Sequence, residues 1–499
     1  MLADSDTRWK WGALTAHRLV PDESGSASGR RLDGFLLRGR ATPTARQLTE
    51  VGVRADAMRE VTGVEFVRAV DRERYDVIVL SLVGGAVQAM LHGLRHAWQD
   101  DERRPVVVTG YVGVVYEKLA DGLLLRHGAD VVLANSRHDA DRFRDVYTGV
   151  GADGNSVVEC ALPFLGGDRY DPKARLGRKY PGGTVVFAVQ PSVPDNRADR
   201  TYLLRRAVEH ARRHPDREVV VKLRSKPGEH TTHIEELPYQ KLIAKFGDDL
   251  PANFRLAYGN MGEVLDTADL LVTVSSTAAL ESLHRSIPTA VLTDLGVRET
   301  LGNHHFLGSG CLASWDQLDA GHLPEPNAEW LSRQGVAADG PYETWFDAAR
   351  ERVAELAAAP TLPPLAPFYT PTTAPGYLPG RLARYGFEPD GSPRPGPRPR
   401  TRRRSRRCGG WCATRCAKRP AVPTATACSG WPRSSGEWGS CEQGAPPSGS
   451  WGSTRGRRVA VDDDARASAP RGRRSEQEIG CERREPRGGR DGLDHLCNP

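Results

Sequence analysis

The chain has 499 residues, room for two or three ordinary domains, with 39% hydrophobic residues and a formal net charge of +6. Both figures are averages over unlike parts. Up to about Phe387 the chain is rich in Val, Leu and Ala in regular apolar runs, whereas beyond Pro393 Arg, Gly, Ser and Pro dominate, and such a segment buries too little apolar surface to offset the entropy of ordering. Much of the positive charge lies in runs such as Arg402–Arg407; no RNA- or DNA-binding module accompanies them, so they read as a solvated tail and no nucleic-acid partner is expected.

Only Cys160 and Cys311 precede the tail, which points to no disulfide framework and suits a reducing cytoplasm. In the tail, Cys408, Cys412 and Cys416 are spaced C-x3-C-x3-C without the second ligand pair that a structural zinc site requires, so no metal is expected. The peptide Trp411-Cys412-Ala413-Thr414-Arg415-Cys416 invites an out-of-frame reading. Trp and Cys codons both begin TG, and starting one base earlier turns the stretch into ordinary helix-forming sequence.

In chain order, Leu2-Ala3 reads as the stub of a first strand, with a start a few residues late, and the N-terminus lacks the basic start and apolar core of a signal peptide. Strands are predicted at Phe35 to Leu37, Val77 to Leu82, Pro105 to Thr109, Val131 to Ala134 and Val157 to Leu162, with helices at Arg46 to Val61 and Arg137 to Val146. The uncharged stretch Val77 to Leu94 is broken at Gly84-Gly85, which makes it a buried strand followed by a helix rather than a membrane span. Pro163 to Gly183 interrupts the rhythm with Gly, Pro and charges.

The alternation then restarts. Strands are predicted at Val185 to Val189, Val219 to Leu223, Phe254 to Tyr258, Leu270 to Val274 and Thr289 to Leu292, with helices at Tyr202 to Arg213, Gly262 to Thr267, Thr277 to Arg285 and, last, Glu343 to Ala359. Near-continuous apolar strands alternating with helices argue parallel sheets covered on both faces. The expected fold class is therefore α/β, two Rossmann-like domains facing across a cleft, with a disordered C-terminal tail. The boundaries are 1–165 (first domain), 166–183 (linker), 184–360 (second domain), 361–390 (extension) and 391–499 (tail). Ligands of such sheets bind outside the carboxyl ends of the strands.

The most informative segment runs from Asp269 to Pro288. A buried strand ends in Ser275 and Ser276, and a helix begins at once at Thr277. Small hydroxyl residues at a helix start cap it and let an anion such as a diphosphate approach closely. Glu281, near the second turn, could accept hydrogen bonds from a ribose; it could equally be an exposed residue of an ordinary capped helix.

This segment resembles the donor-binding half of two-domain, GT-B-type glycosyltransferases, and is similar to that of teichoic-acid polymerases, polysialyl- and Kdo-transferases and sugar-nucleotide 2-epimerases. Residues 1–390 more closely resemble a family of uncharacterised actinobacterial glycosyltransferase-like proteins. That likeness is carried by Ala3-Asp4-Ser5-Asp6 with Trp9-Lys10-Trp11, by Arg104 to Gly113, and by Lys222 through Tyr239. The resemblance implies transfer of a sugar from a nucleotide-sugar donor to a hydroxyl acceptor (a glycan, a lipid-linked or a small molecule) without metal or other cofactor.

Two departures stand out. The glycine usual before the proline is Ser286, and the His-Pro pair expected after the Val219–Leu223 strand is absent. Lys222, Arg224 or Lys226 could neutralise the donor phosphates instead, and His233, or His230, could contact them from the same loop. In transferases of this shape the loop after the first strand faces the acceptor. Asp4 or Asp6 would then be the general base; the alternative is that both only cap the helix near Thr7.

Thr109, Gly110 and Asn135, at the ends of successive strands, are candidates for the acceptor side, and the loop from Gln190 to Arg197 for the nucleobase. Trp9 and Trp11 fit an aromatic anchor better than a sugar platform, and His304-His305 a structural or cleft-lining pair better than a metal site. Two rivals remain, an epimerase of the same shape and a non-catalytic binding protein. The expected location is the cytoplasm, either free or peripheral at the inner membrane face.

Overall fold

The computed structural model describes residues 1–20, 30–101, 103–114, 119–173, 179–226, 229, 235, 237–336 and 342–395. Of the chain's two units, Met1–Arg403 and Arg404–Pro499, the described residues fall in the first. The basic run and the cysteine cluster of the tail, together with His230 and His233, lie outside the described residues.

Two wholly parallel sheets organise the fold. The first holds β1 (Leu2–Ala3), β2 (Asp33–Leu37), β3 (Ala57–Val61), β4 (Val77–Ser81), β5 (Val106–Gly110), β6 (Val131–Ala134) and β7 (Val157–Glu159), in the order β3-β2-β1-β4-β5-β6-β7. Its helices are α1 (Asp6–Leu19), α2 (Ala45–Val51), α3 (Gly63–Ala69), α4 (Gly84–Ala97), α5 (Leu119–Leu124) and α6 (Arg137–Gly149). The second sheet holds β8 (Thr184–Ala188), β9 (Glu218–Lys222), β10 (Phe254–Ala257), β11 (Leu270–Thr273), β12 (Thr289–Leu292) and β13 (Leu312–Ala313), in the order β10-β9-β8-β11-β12-β13. With it go α7 (Arg197–Arg213), α8 (Tyr239–Ile243), α9 (Met261–Leu265), α10 (Ala278–His284), α11 (Trp315–Asp319) and α12 (Ala328–Arg333).

Both orders are doubly wound, reversing direction between β1 and β4 and between β8 and β11, which opens a crevice at the carboxyl ends of those strands. The central strands need no polar face because helices cover both sides; every residue of β5, β6, β8 and β11 is buried.

Four sequence expectations change in the structure. The helix expected over Arg46 to Val61 ends at Val51, where Gly52 closes it in the left-handed region at φ 76°. Residues Ala57–Val61 instead form β3, exposed along most of its length at the edge of the sheet, so no apolar alternation marks it as a strand. At the start of α1 the cap is Ser5, whose side chain accepts from Arg8 N, and Asp4 and Asp6 do not serve as the cap.

The closing helix, α13 (Asp347–Ala358), packs on the first sheet although it follows the second. Phe346, Ala349 and Val353 share a core with Trp9, Trp11, Val106, Val108 and Val131. Finally α14 (Leu378–Ala383) and its flanks also bury Leu365, Leu378, Leu382 and Phe387 in the first sheet's core, so residues 361–390 belong to that half. Arg104 fastens the return. Its buried guanidinium is bidentate to Asp130 at 2.7 Å and also donates to Pro363 O at 2.6 Å. Pro393, in the segment assigned to the tail, bridges back to Phe387.

The serine that replaces the usual glycine has a defined geometry. α10 ends in a Schellman motif, with Ser286 N donating to Leu283 O at 2.9 Å and Ile287 N to Ser282 O at 3.0 Å. Ser286 itself sits at φ 58°, the sole positive-φ residue other than glycine among the described residues. Such a backbone costs an L-residue roughly 1–2 kcal/mol, partly offset by the entropy that glycine would add to the unfolded chain. Ser286→Gly is therefore expected to stabilise the protein by roughly 0.5–1 kcal/mol, and Ser286→Val to destabilise it, read from denaturant midpoints.

Candidate functional site

The carboxyl ends of the two sheets meet at one cleft of about 910 Å³. From the first half come Asp6, Thr7 and Lys10 after β1, Gln47, Glu50 and Val51 on α2, Val112 and Val114 after β5, and Phe164. From the second come Gln190 through Asn196 after β8, Lys222 through Arg224 at the end of β9, Gly259 through Met261 after β10, Ser275 through Ala278 and Glu281 after β11, and Arg298. The cleft thus lies where both switch points open, and each wall is made of the loops that parallel strands throw out at their carboxyl ends.

The second wall is a polar scaffold. Ser275 is buried; its hydroxyl donates to Leu301 O at 2.5 Å, and its N–H donates to Gln190 Oε1 at 3.0 Å. Ser276 and Thr277 are half-buried and face the opening. Ser276 Oγ accepts from Ala278 N at 3.2 Å and so caps α10. That helix has only seven residues, so its dipole adds little, and the charge on this wall rests on side chains. Lys222 is buried, donates to Leu223 O at 2.7 Å, and is pulled down to about 8 by burial, with Glu50 and Glu281 acting the other way. Glu281 is likewise buried, which pushes its carboxyl up against the opposing pull of Lys10 and Arg285. Arg200 staples the Gln190 loop, donating to the carbonyls of Gln190, Pro191 and Pro194 and pairing with Glu235 at 2.5 Å.

Across the seam the halves meet through opposite charges and hydrogen bonds. Arg224 pairs with Asp6 at 3.1 Å and also donates to Thr7 Oγ1. Lys10, seated over the Phe164 ring, lies 3.6 Å from Glu281. On the far rim Arg46 pairs with Glu229 and Glu50, while Glu50 accepts from Gly259 N at 3.1 Å.

Of the residues singled out in the sequence, Asp6, Lys222, Arg224, Ser275, Ser276, Thr277 and Glu281 line this cleft. Asp4 does not: it is held by Arg8 at 3.0 Å and by Val83 N at 3.0 Å. Thr109 is buried and donates to Leu80 O at 2.9 Å. Gly110 is glycine because Trp11 packs on it, a Cβ there falling 2.8 Å from the indole. Asn135 accepts from Trp11 Nε1 at 3.4 Å and donates to Tyr111 O at 2.7 Å.

Thr109, Gly110 and Asn135 are thus held in packing contacts and do not line this cleft, whereas Val112 and Val114 do. Lys226 is exposed and stands over Tyr258 at 6.0 Å, outside the lining; His233 lies outside the described residues. Lys10, Gln47, Glu50, Arg200 and Arg298 escaped the sequence reading. For Lys10 there was a signal, its place one turn after Asp6 on the same helix, but α2 and Arg298 reach the cleft only through the tertiary fold.

The one His/Asp group with metal-ligand spacing among the described residues is His210, His214 and Asp319. His210 pairs with Asp319 at 2.6 Å, and Arg206 and Arg213 occupy the same carboxylate. These arginines already neutralise it, so the group suits an ion-pair network between α7 and α11 better than a cation, and none of it lines the cleft. His305 is pulled down to about 3, chiefly by burial, and packs against His138 and Trp330.

Two doubly wound sheets sharing one cleft at their carboxyl ends define a two-domain α/β protein of the GT-B type. Residues 1–352 match the family described as "Putative glycosyltransferase (DUF6716)", and the chain belongs to that family. No curated protein sequence matches it. Among solved structures it is distantly similar to S. aureus MnaA bound to UDP, at 11% identity over 72% of this chain and 97% of that one, with a TM-score of 0.45. It is similar too to Anabaena HepE in complex with UDP and glucose, at 12% over 72% and 99%, TM-score 0.42. A third is the UDP-GlcNAc 2-epimerase from Neisseria meningitidis bound to UDP-GlcNAc, at 9% over 71% and 98%, TM-score 0.44. No helix of the described residues is long and apolar enough to cross a membrane.

A void of about 10 Å³, near the volume one water probe needs, adjoins the seam and is lined by Val114, Asp139, Leu280 and His305 among others. Asp139 is buried, its Oδ1 has no hydrogen-bond partner, and burial pushes its carboxyl up to about 7. A folded-state value above the unfolded one means that the native state holds the proton longer. Asp139 therefore costs stability progressively as the pH rises from about 4 to about 7. Asp139→Asn should unfold at a higher temperature than the parent at pH 8 and at about the same temperature near pH 4, by calorimetry.

Proposed function

We propose that the protein transfers a sugar from a nucleotide-sugar donor to a hydroxyl acceptor, with the donor on the second-half wall and the acceptor on the first. The observation that carries this reading is the single cleft where the carboxyl ends of both sheets converge. Its second wall offers hydroxyls and cations together, Ser276, Thr277, Lys222, Arg224 and Arg298, with Glu281 among them. Positive groups placed where a diphosphate leaves stabilise the charge that develops there. The loop from Gln190 to Asn196, held by Arg200, is the base-binding candidate.

In the reaction the acceptor hydroxyl loses its proton to Asp6, and its oxygen bonds to the anomeric carbon. The bond from that carbon to the diphosphate oxygen breaks, and the diphosphate leaves with the electron pair toward Lys222 and Arg224. Arg224, which pairs with Asp6, would turn to the diphosphate when donor binds and leave the carboxylate free to act as base. A cytoplasmic setting, an acceptor reached at the inner membrane face and an actinobacterial origin complete the reading; the buried, unbridged Cys160 and Cys311 fit a reducing compartment.

Two experiments test it. A panel of nucleotide sugars titrated by calorimetry should yield at least one binder, and Ser276→Trp should weaken it by roughly tenfold or more by filling the wall; unchanged affinity would remove the donor site from this turn. Asp6→Asn should lower kcat by roughly 100-fold or more with donor affinity retained, whereas Asp4→Asn should mainly lower stability. An isomerised sugar from a single donor, with no acceptor consumed, would make the protein an epimerase instead.

A further inference from the structure

We infer that Gly113 is a positioning residue: its missing side chain lets Thr277 seat on the loop after β5, and this contact sets the spacing of the two walls of the cleft. A Cβ at Gly113 would stand 2.6 Å from Thr277 Oγ1 and 3.6 Å from its Cβ and Cγ2, the first distance far inside van der Waals contact. The backbone of Gly113 is not in the left-handed region, so space and not conformation calls for glycine here.

Thr277 supplies the complementary observation. It occupies the cap position of α10, yet its side chain makes no capping bond. That work falls to Ser276 Oγ, which accepts from Ala278 N. The Thr277 hydroxyl is turned instead to the first half, where it accepts from Val114 N at 3.4 Å. One turn along the same helix Glu281 reaches Lys10 of α1 at 3.6 Å. The donor-wall turn is thus attached to the first half at two points, and the tighter one exists because residue 113 has no side chain.

A methyl group at residue 113 would push the walls apart by about 1 Å, a misplacement that can cost on the order of 100-fold when two reactants sit on opposite walls. The kinetic consequence rests on the transfer reading proposed above; the contact itself does not. The experiment is a double-mutant cycle of Gly113→Ala and Thr277→Ala, read both in kcat and in the denaturant midpoint of the full chain. Gly113→Ala alone should lower kcat by roughly 10–100-fold, leave donor affinity within about threefold, and lower the midpoint.

In the Thr277→Ala background, where Oγ1 is gone and only the ordinary 3.6 Å contact remains, Gly113→Ala should add no further loss in either readout. Losses that multiply in both readouts would overturn the inference. If Gly113→Ala does not fold while the double variant does, that rescue supports it; if neither folds while Thr277→Ala does, it is wrong. Should the wild type transfer no sugar, the function proposed above fails, while the unfolding cycle still decides the contact.

Discussion

The constraint on which the rest depends is the parallel direction of every strand in both sheets. Parallel strands send all their carboxyl ends, and the loops that follow them, to one edge of the sheet. In this protein two such edges face each other, so residues far apart in sequence, from Asp6 to Arg298, line one cleft. A parallel sheet must also be covered on both faces. The first sheet meets that need by taking back the last of the described residues: α13 and α14 leave the second half and complete the first half's core, fastened by the buried Arg104–Asp130 pair. The two halves are therefore tied together by the chain at both the linker and this return, with the cleft between them.

The seam is electrostatic where it matters. Asp6 with Arg224 and Lys10 with Glu281 each place one member on either half, and each is partly sheltered from water. Beside these pairs, burial opposes the charged forms of Lys222 and Glu281. An anionic ligand entering this cleft would exchange partners with groups already paired across it.

Local rules are broken at a few places. Ser286 holds a backbone conformation suited to glycine at the end of α10, and Asp139 is buried without a full set of partners beside the seam. The opposite holds for Trp9, Trp11, Gly110 and Asn135. They form a satisfied packing cluster, and their prominence in the sequence reflects the architecture of the first sheet.

The sequence alone determined the strand–helix alternation, the two-sheet α/β class and the strand-to-helix turn at Ser275–Thr277. Each of these is written in local patterns: continuous apolar strands, small hydroxyl residues at a strand end, glycines and prolines between elements. It misjudged the segment after Gly52, because an exposed edge strand carries no burial pattern, and it assigned the closing helix to the wrong half, because an apolar stripe does not say which sheet will cover it. Which strand-end residues face the cleft was equally beyond it. Asp4 and Asp6 are two residues apart and chemically identical, yet one is tied to Arg8 and Val83 and the other opens on the cleft. Only the tertiary structure decided that choice, and with it the parts played by Lys10, Glu50 and Gly113, because each depends on a partner from the other half that no local sequence signal can supply.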